Sequence, residues 1–354
     1  MTAIALFFGG KSSEHEVSIR SAKNIAKAMP SSFQCLPVAI TKNGSFYLCD
    51  YQAFVNSSDN AKIEDFQQTE LGVKFGHKHP FFNLITGESI HVDVCFPILH
   101  GTLGEDGSMQ GLFRVLNLPF VGAGVMGSAA GMDKDVMKRL LIEKGLPVGH
   151  YIALRKHETL DLTVIRKIIG YPCFVKPASN GSSVGVSKVK EEADLQKACD
   201  LAFRFDHKIL IEEFIEGREI ECAVLGNSQP RASITGEIIP GHDFYSYEAK
   251  YIDDKGAELS IPAKIPDDLS KKIREIAIQT YLALECEGMG RVDVFLRGQE
   301  IFINEINTLP GFTSISMYPK LWEHTGISGN ELINKLIELA FERFQKESKL
   351  EIHV

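Results

Sequence analysis

Two short runs near the C-terminal end of the chain, Gly290-Arg291-Val292-Asp293-Val294-Phe295 and Ile301-Phe302-Ile303-Asn304-Glu305-Ile306-Asn307, alternate apolar and polar residues and lead into Thr308-Leu309-Pro310-Gly311-Phe312-Thr313-Ser314. A period of two predicts two half-buried strands, turned back on each other at Gly298. Successive side chains of a strand point to opposite faces, so Arg291 and Asp293 share one face, as do Glu305 and Asn307. Paired as a hairpin, the runs bring an aspartate, a glutamate and an asparagine amide to one patch, with an arginine beside them. Hard oxygen ligands of this kind suit Mg²⁺, which takes one or two carboxylates and completes its shell with phosphate oxygens and water. A surface hairpin with a solvated polar face would account for any one of these residues. Four at the right alternation, running into a Pro-Gly loop, point to a site.

The rest of the composition bounds what such a site can serve. With 354 residues, 44% of them apolar and 24% charged, the chain is long enough for two or three soluble globular domains. Its net charge of −8 leaves no basic footprint, which argues against nucleic acid and anionic membrane as partners. Seven cysteines are scattered without a Cys-x-x-Cys pair, a usage that fits a reducing cytoplasm better than a disulfide framework or a zinc site. The apolar run Ala3–Phe8 is too short for a signal peptide or a membrane span and stops at Gly9-Gly10. A soluble cytoplasmic enzyme is expected.

Read in order, the chain gives three α/β blocks. Ala3–Phe8 reads as a buried strand and Glu16–Met29 as a helix, with a glycine turn between them that suits an anion at a helix N-terminus. Gly9-Gly10-Lys11-Ser12 ends like a phosphate-binding P-loop, but Ala5 stands where that motif needs its first glycine. Glu14 at the helix mouth would bind an ammonium group or simply match the helix dipole. Pro37–Thr41 and Val92–Phe96 read as strands, and residues 50–90 between them show little pattern. His100-Gly101 through Glu105-Asp106-Gly107 is a glycine-rich loop after a strand, a position where α/β proteins place ligands. There His100 would contact substrate or serve the structure. Gly122-Ala123-Gly124 marks a boundary, and Asp133–Lys144 a helix with Lys134 near its start. The strand Pro172–Pro177 buries Lys176, which needs an anionic partner such as a nucleotide phosphate. The small hydroxyl-rich loop after it, through Ser182 and Ser183, would close over phosphates with its backbone N–H groups. Ile209–Ile215 is a strand bearing Glu212 and Glu213. The aromatic loop after Pro240 reads as a docking lid, and Pro266–Cys286 and Asn330–Lys346 as amphipathic helices.

These motifs together resemble the ATP-grasp superfamily and, within it, the D-alanine–D-alanine ligases. The resemblance is carried by Gly9-Gly10-x-Ser12-x-Glu14-x-Glu16-Val17-Ser18, His100-Gly101-x-x-Gly104-Glu105-Asp106-Gly107 and Met132-Asp133-Lys134. It continues through Lys176-Pro177 with Gly181-Ser182-Ser183-Val184-Gly185, Glu248-Ala249-Lys250-Tyr251, Arg291-Val292-Asp293 and Glu305-Ile306-Asn307-Thr308-x-Pro310-Gly311. It implies a Rossmann-like parallel-sheet domain over residues 1–122. Two ATP-grasp domains with mainly antiparallel sheets would follow, over 123–211 and 212–354, the lid lying at about 241–258. It implies ATP held by Lys134, Lys176, Ser183 and Lys250, with adenine near Glu212, Glu213 and Ile215 and ribose at Glu219. Asp293, Glu305 and Asn307 would hold two Mg²⁺ or Mn²⁺ ions. Two D-alanines would meet Glu14, His100, Ser182, Tyr251, Arg291, Gly311 and Ser316. Glu14, Ser182 and Tyr251 would form a hydrogen-bonded set around the first substrate, and Arg291 with the Gly311 N–H would stabilise a tetrahedral oxyanion. The intact Glu-Ala-Lys-Tyr lid sequence implies a dipeptide product rather than a D-alanine–D-lactate ester. A homodimer is a further implication of the family.

Overall fold

The computed structural model describes residues 1–241 and 257–351. Glu248, Lys250 and Tyr251, and with them most of the expected lid, lie outside those residues.

The first sheet takes β1 (Thr2–Gly9), β2 (Phe33–Ile40), β3 (Phe46–Cys49), β4 (Gln67–Val73), β5 (Phe81–Asn83), β6 (Ser89–Ile90) and β7 (Val94–Pro97) in the order β6-β5-β4-β3-β2-β1-β7. β1 is an unbroken apolar run because it lies inside the sheet, buried along nearly its whole length between parallel neighbours β2 and β7. From β2 to β6 the sheet is an antiparallel meander. The sheet expected to be parallel is therefore mixed. Its antiparallel half comes largely from the stretch 50–90, where the seven-residue β4 opens on four polar residues without alternation and β5 and β6, of three and two residues, are too short to show a period. α1 (His15–Ala28) packs on β1, and α2 (Tyr51–Asn56) and α3 (Ser108–Val115) complete this block.

α4 (Val125–Met132) and α5 (Lys134–Glu143) follow the Gly122 boundary. The second sheet, all antiparallel, takes β8 (Tyr151–Arg155), β9 (Cys173–Pro177), β10 (Ser187–Val189) and β11 (Lys208–Glu213) in the order β10-β9-β11-β8, with α6 (Leu162–Ile168) and α7 (Leu195–Ala202). The third, also antiparallel, takes β12 (Arg218–Leu225), β13 (Arg231–Pro240), β14 (Ala257–Ser260), β15 (Met289–Arg297) and β16 (Glu300–Asn307) in the order β14-β13-β12-β15-β16. α8 (Asp267–Ala283), α9 (Met317–His324) and α10 (Gly329–Glu347) accompany it. Asp267 and Asp268 sit in the first turn of α8 and Pro266 at its cap, so they serve the helix dipole rather than cap by side chain.

The cores cross the boundaries drawn from sequence. Ala130, Met137 and Leu141 of α4 and α5 pack with Ile220, Val292 and Ile306 of the third sheet. Residues 125–146 thus lend their apolar face to the C-terminal block, not to the four-stranded sheet that follows them. β11 runs on to Glu213, so the change of sheet falls in the turn before Arg218. Ile4, Leu6 and Phe8 of β1 share one core with Tyr318, Trp322 and Leu336 of α9 and α10, which fixes the first block against the last. Among the described residues no helix is long and apolar enough to cross a membrane. All seven cysteines are free thiols, six of them buried.

Candidate active site

The hairpin of β15 and β16 forms, turning at Gly298 with φ +61°, and its register shifts by one residue between Asp293 and Val294, which the alternation does not announce. Register places Asp293 opposite Glu305, and Arg291 opposite Asn307. β12, on the other side of β15, places Glu221 opposite Asp293. Three carboxylates, Glu221, Asp293 and Glu305, therefore stand in one row across three strands. Like charges directly opposite one another destabilise a sheet, so such a row needs cations. Arg291 supplies one, with Nε 2.8 Å from Asp293 Oδ1 and Nη2 2.7 Å from Oδ2, and with Nε also 2.9 Å from Glu221 Oε2. Lys134 supplies another, with Nζ 3.4 Å from Glu305 Oε2. Burial opposes the charge on Arg291, but Asp293 and Glu221 outweigh it and hold the guanidinium well above its ordinary pKa. Asn307 Nδ2 donates to Asp293 Oδ2 at 3.0 Å.

Asp293, Glu305 and Asn307 thus stand together, with cationic side chains now occupying part of their bonding capacity. The donor set is all oxygen and suits a hard divalent ion. Among the described residues no three His, Cys, Asp or Glu side chains converge to close a metal shell by themselves. Phosphate oxygens and water would have to complete it.

A cavity of about 140 Å³ opens in front of this row, and Glu14, His100, Glu105, Lys134, Arg291 and Ser316 are among its lining residues. Glu14 is the N-cap of α1 and only 6% exposed. A Cβ added at Gly101 or Gly181 would come within 3.1 Å of Glu14 Oε2, so both loops approach this carboxylate because they carry glycine there. Ser182 and Ser183 follow with φ +52° and +59°, two successive non-glycine residues in the left-handed region. Such strain is held only where the surroundings over-determine it, and it turns backbone N–H groups toward one side. On the far wall, Ser316 caps α9, and a Cβ at Gly311 would lie 2.8 Å from its Oγ. Thr313 N–H donates to that oxygen at 2.9 Å.

His100 lines the cavity and also serves the structure, the second of the two roles open to it. Its Nδ1 lies 3.1 Å from the Leu309 carbonyl and its Nε2 3.1 Å from Ser21 Oγ, so both ring nitrogens are engaged by the protein. Burial lowers its pKa, against the pull of Glu14, which favours the neutral ring. Glu105, quoted in the glycine-rich motif without a role, has its carboxyl pushed up to about 8 by desolvation and by the negative charge of Glu14, against the Gly101 N–H that it accepts.

A second cleft, of about 450 Å³, shares Lys134, Ser182 and Glu305 with the first cavity and runs between the second and third sheets. Lys176 Nζ lies 2.7 Å from Glu212 Oε2 and 3.4 Å from Asn304 Oδ1. Lys138 Nζ lies 3.4 Å from the other Glu212 oxygen. Burial pushes Glu212 up, yet Lys138 and Lys176 prevail and hold its carboxyl below the usual range. Lys138 itself is lowered, by burial first and by Lys176 as well, against the pull of Glu212. Glu213 Oε1 accepts from the His150 N–H at 2.6 Å, while Ile215 and Glu219 line the cleft. Asn180, given no role from sequence, offers its carbonyl to Lys134 Nζ at 2.8 Å.

Lys138 and Glu221 escaped the sequence reading. The signal for Lys138 was its place four residues after Lys134 on the buried stripe with Met137 and Leu141, where a lysine needs a partner. Glu221 follows Glu219 at the strand period on a strand of otherwise apolar inward residues.

The two antiparallel sheets and the lysine-lined cleft between them define an ATP-grasp fold. Family models described as D-ala D-ala ligase N-terminus and C-terminus match residues 3–123 and 140–338. A D-alanine–D-alanine ligase of Shouchella clausii is 50% identical over 359 residues, covering 99% of this chain and 98% of its own. Two solved structures are similar across both lengths. The D-alanine-D-alanine ligase of Coxiella burnetii is 38% identical with a TM-score of 0.89, covering 98% of this chain and 96% of its own. The VanG D-Ala:D-Ser ligase of Enterococcus faecalis is 35% identical with a TM-score of 0.86, covering 96% and 99%. The chain belongs to the D-alanine–D-alanine ligase family.

Proposed function

We propose that this protein joins two D-alanines into D-alanyl-D-alanine at the expense of ATP, releasing ADP and phosphate, and that the dipeptide enters a peptidoglycan precursor. The observation that carries the reading is the carboxylate row Glu221–Asp293–Glu305 with its two cations. It stands where a small polar cavity meets a lysine-lined cleft.

In this reading the cleft takes ATP. Lys134, Lys176 and the Ser182–Ser183 backbone hold its phosphates, Glu213 and Ile215 flank the base and Glu219 the ribose. Glu212 orders Lys138 and Lys176, and we place Lys138 with them as a phosphate ligand. Asp293, Glu305 and Asn307 would hold Mg²⁺ or Mn²⁺, which neutralises charge on the phosphates when bound. Glu14 binds the ammonium of the first D-alanine and orients its carboxylate. That carboxylate takes the γ-phosphoryl group, ADP leaves, and the amine of the second D-alanine attacks the acyl phosphate carbon. Arg291 and the Gly311 N–H face the oxyanion that forms before phosphate is expelled, a preorganised role worth about 3 kcal/mol per donor. Ser316, at the N-terminus of α9, receives the carboxylate of the second D-alanine. Lys250 and Tyr251, outside the described residues, would complete the phosphate and first-substrate sites from the lid. A cytoplasmic homodimer is part of the same reading.

The D-Ala:D-Ser specificity of the VanG protein makes D-serine the competing second substrate. The test is ADP release from ATP and Mg²⁺ with D-alanine, L-alanine, or D-alanine plus D-serine or D-lactate, each product identified by mass. D-Ala-D-Ala formed from the D-enantiomer alone is the expected outcome. A mixed product in preference to it would reassign the second substrate, and no ADP with any D-amino acid would refute the reading.

A further inference from the structure

The buried face of α1 carries a polar stripe that packing does not explain. Glu14, Ser18, Ser21 and Asn24 recur at helical spacing, and Ser18 and Ser21 are fully buried. Buried hydroxyls persist where their hydrogen bonds are satisfied, so the partners show what the stripe is for. Ser18 Oγ accepts from the Gly9 N–H at 2.8 Å and donates to the Ile98 carbonyl at 2.5 Å, tying the helix to the ends of β1 and β7. Ser21 Oγ accepts from the Phe312 N–H at 3.2 Å and meets His100 Nε2 at 3.1 Å. Asn24 Nδ2 donates to the Phe312 carbonyl at 3.0 Å.

One tautomer satisfies every atom in this set. The Leu309 carbonyl only accepts, so His100 Nδ1 carries the ring proton and donates to it. Nε2 is then the acceptor for the Ser21 hydroxyl, which leaves the Ser21 oxygen lone pairs facing the Phe312 N–H. The peptide groups before and after Pro310-Gly311 are thereby held from the first block, more than 200 residues away in sequence. Pro310 restricts the segment between them, because its ring fixes φ.

We propose that Ser21, Asn24 and His100 are positioning residues. They hold the loop Leu309–Phe312 so that the Gly311 N–H stays aimed at the reacting carbonyl, while α1 fixes the span from that donor to Glu14. The inference rests on the oxyanion role given to Gly311 above. It assigns His100 an action on the substrate through the loop, and it explains why α1 spends a buried face on hydroxyl and amide groups.

The test uses the full-length chain with S21A, N24A, the double variant, and the near-isosteric N24D, which replaces the amide donor with a carboxylate oxygen. Misplacing a reacting group by an ångström costs about 10²-fold, so the double variant should lose about 10²-fold in kcat with KM for ATP within about twofold. N24D should behave like N24A, since the donor and not the volume matters. Amide exchange at Gly311–Thr313 should rise about tenfold or more, with α10 unchanged, as local opening of a released loop requires. Unchanged exchange at Gly311–Thr313 in the double variant overturns the clamp whether or not the protein makes dipeptide. A lower Tm with kcat per folded molecule intact overturns it too, as a merely structural role. A wild-type protein that makes no dipeptide would instead remove the oxyanion role and leave the exchange measurement to judge the clamp alone.

Discussion

The two cavities that meet at Lys134 and Glu305 are built on opposite plans. The smaller, of about 140 Å³, has polar walls drawn from all three blocks, and its charges are fixed in short hydrogen-bonded sets such as Arg291–Asp293–Asn307. The larger, of about 450 Å³, has Phe174, Ile215, Phe295 and Ile303 on its walls and gathers Lys138 and Lys176 about the single carboxylate of Glu212. A small amino acid offers only its charges, so its site must fix every donor. A nucleotide offers a flat base and a chain of phosphates, so its site needs an apolar slot with cations at one end. On the proposed reaction, damage to the first cavity should appear in turnover or amino-acid affinity and damage to the second in ATP affinity.

Arg291→Met should break the comparison most severely. It removes an oxyanion partner, costing about 10²–10³-fold in kcat. It also strands Glu221 and Asp293, and breaking a buried pair costs about 3–5 kcal/mol, visible as a lower Tm. A variant that keeps both its melting point and its turnover would take the row of carboxylates out of the chemistry. Glu305→Gln comes next. It removes a proposed metal ligand shared by both cavities, and ADP release should fall by about 10²-fold while ATP still binds. Full activity at saturating Mg²⁺ would leave Asp293 and Asn307 without their supposed third ligand.

Two milder variants sharpen the division. A hydrogen bond to a charged group contributes about 1.5–3 kcal/mol, so Lys138→Met should raise KM for ATP by about tenfold and leave KM for the amino acids alone. Ser316→Ala should do the reverse, raising KM for the second amino acid by about tenfold with ATP unaffected. Crossed effects, with Lys138→Met acting on the amino acid, would merge the two cavities into one site. The smallest effect is a pH dependence. Glu105 holds a proton up to about 8 in the folded protein, while the unfolded chain releases it near 4.5. Its contribution to stability is complete below 4.5 and is lost as the pH rises through 8, because the folded state binds more protons across that window. Glu105→Gln should therefore flatten the fall in Tm between pH 5 and 8.5. A wild-type Tm that rises across the same window relative to the variant would show that Glu105 is ionised there.

The two strands of the hairpin and their faces were legible because one local rule governs them. Alternation at Arg291, Asp293, Glu305 and Asn307 sets faces, and a two-residue turn pairs Arg297 with Glu300, but that register carried along the strands would set Asp293 opposite Asn304; a register shift between Asp293 and Val294 brings Glu305 there instead. β1 was legible for the same reason, as an apolar run flanked by glycine. The strands between residues 50 and 90 were not, because Gln67-Gln68-Thr69-Glu70 opens β4 without alternation, and the two or three residues of β5 and β6 carry no period. The parallel sheet expected there is half antiparallel as a result. Lys138 was legible in principle as a lysine on the buried stripe of α5, but its partner Glu212 lies on β11, far along the chain. His100 was found as a residue with two roles left open, since nothing near it in sequence announces that Ser21 and the Leu309 carbonyl use both its nitrogens.

By itself the sequence determined the elements with strong local periods, the family, and the charged residues on which the proposed chemistry rests, because period and residue type are properties of short stretches. Tertiary structure alone decided which charges neutralise which, that α4 and α5 serve the C-terminal core, and that the first helix is bonded to the loop Leu309–Phe312. Those outcomes depend on distances between segments up to 291 residues apart, and no local rule fixes such a distance until the sheets have packed.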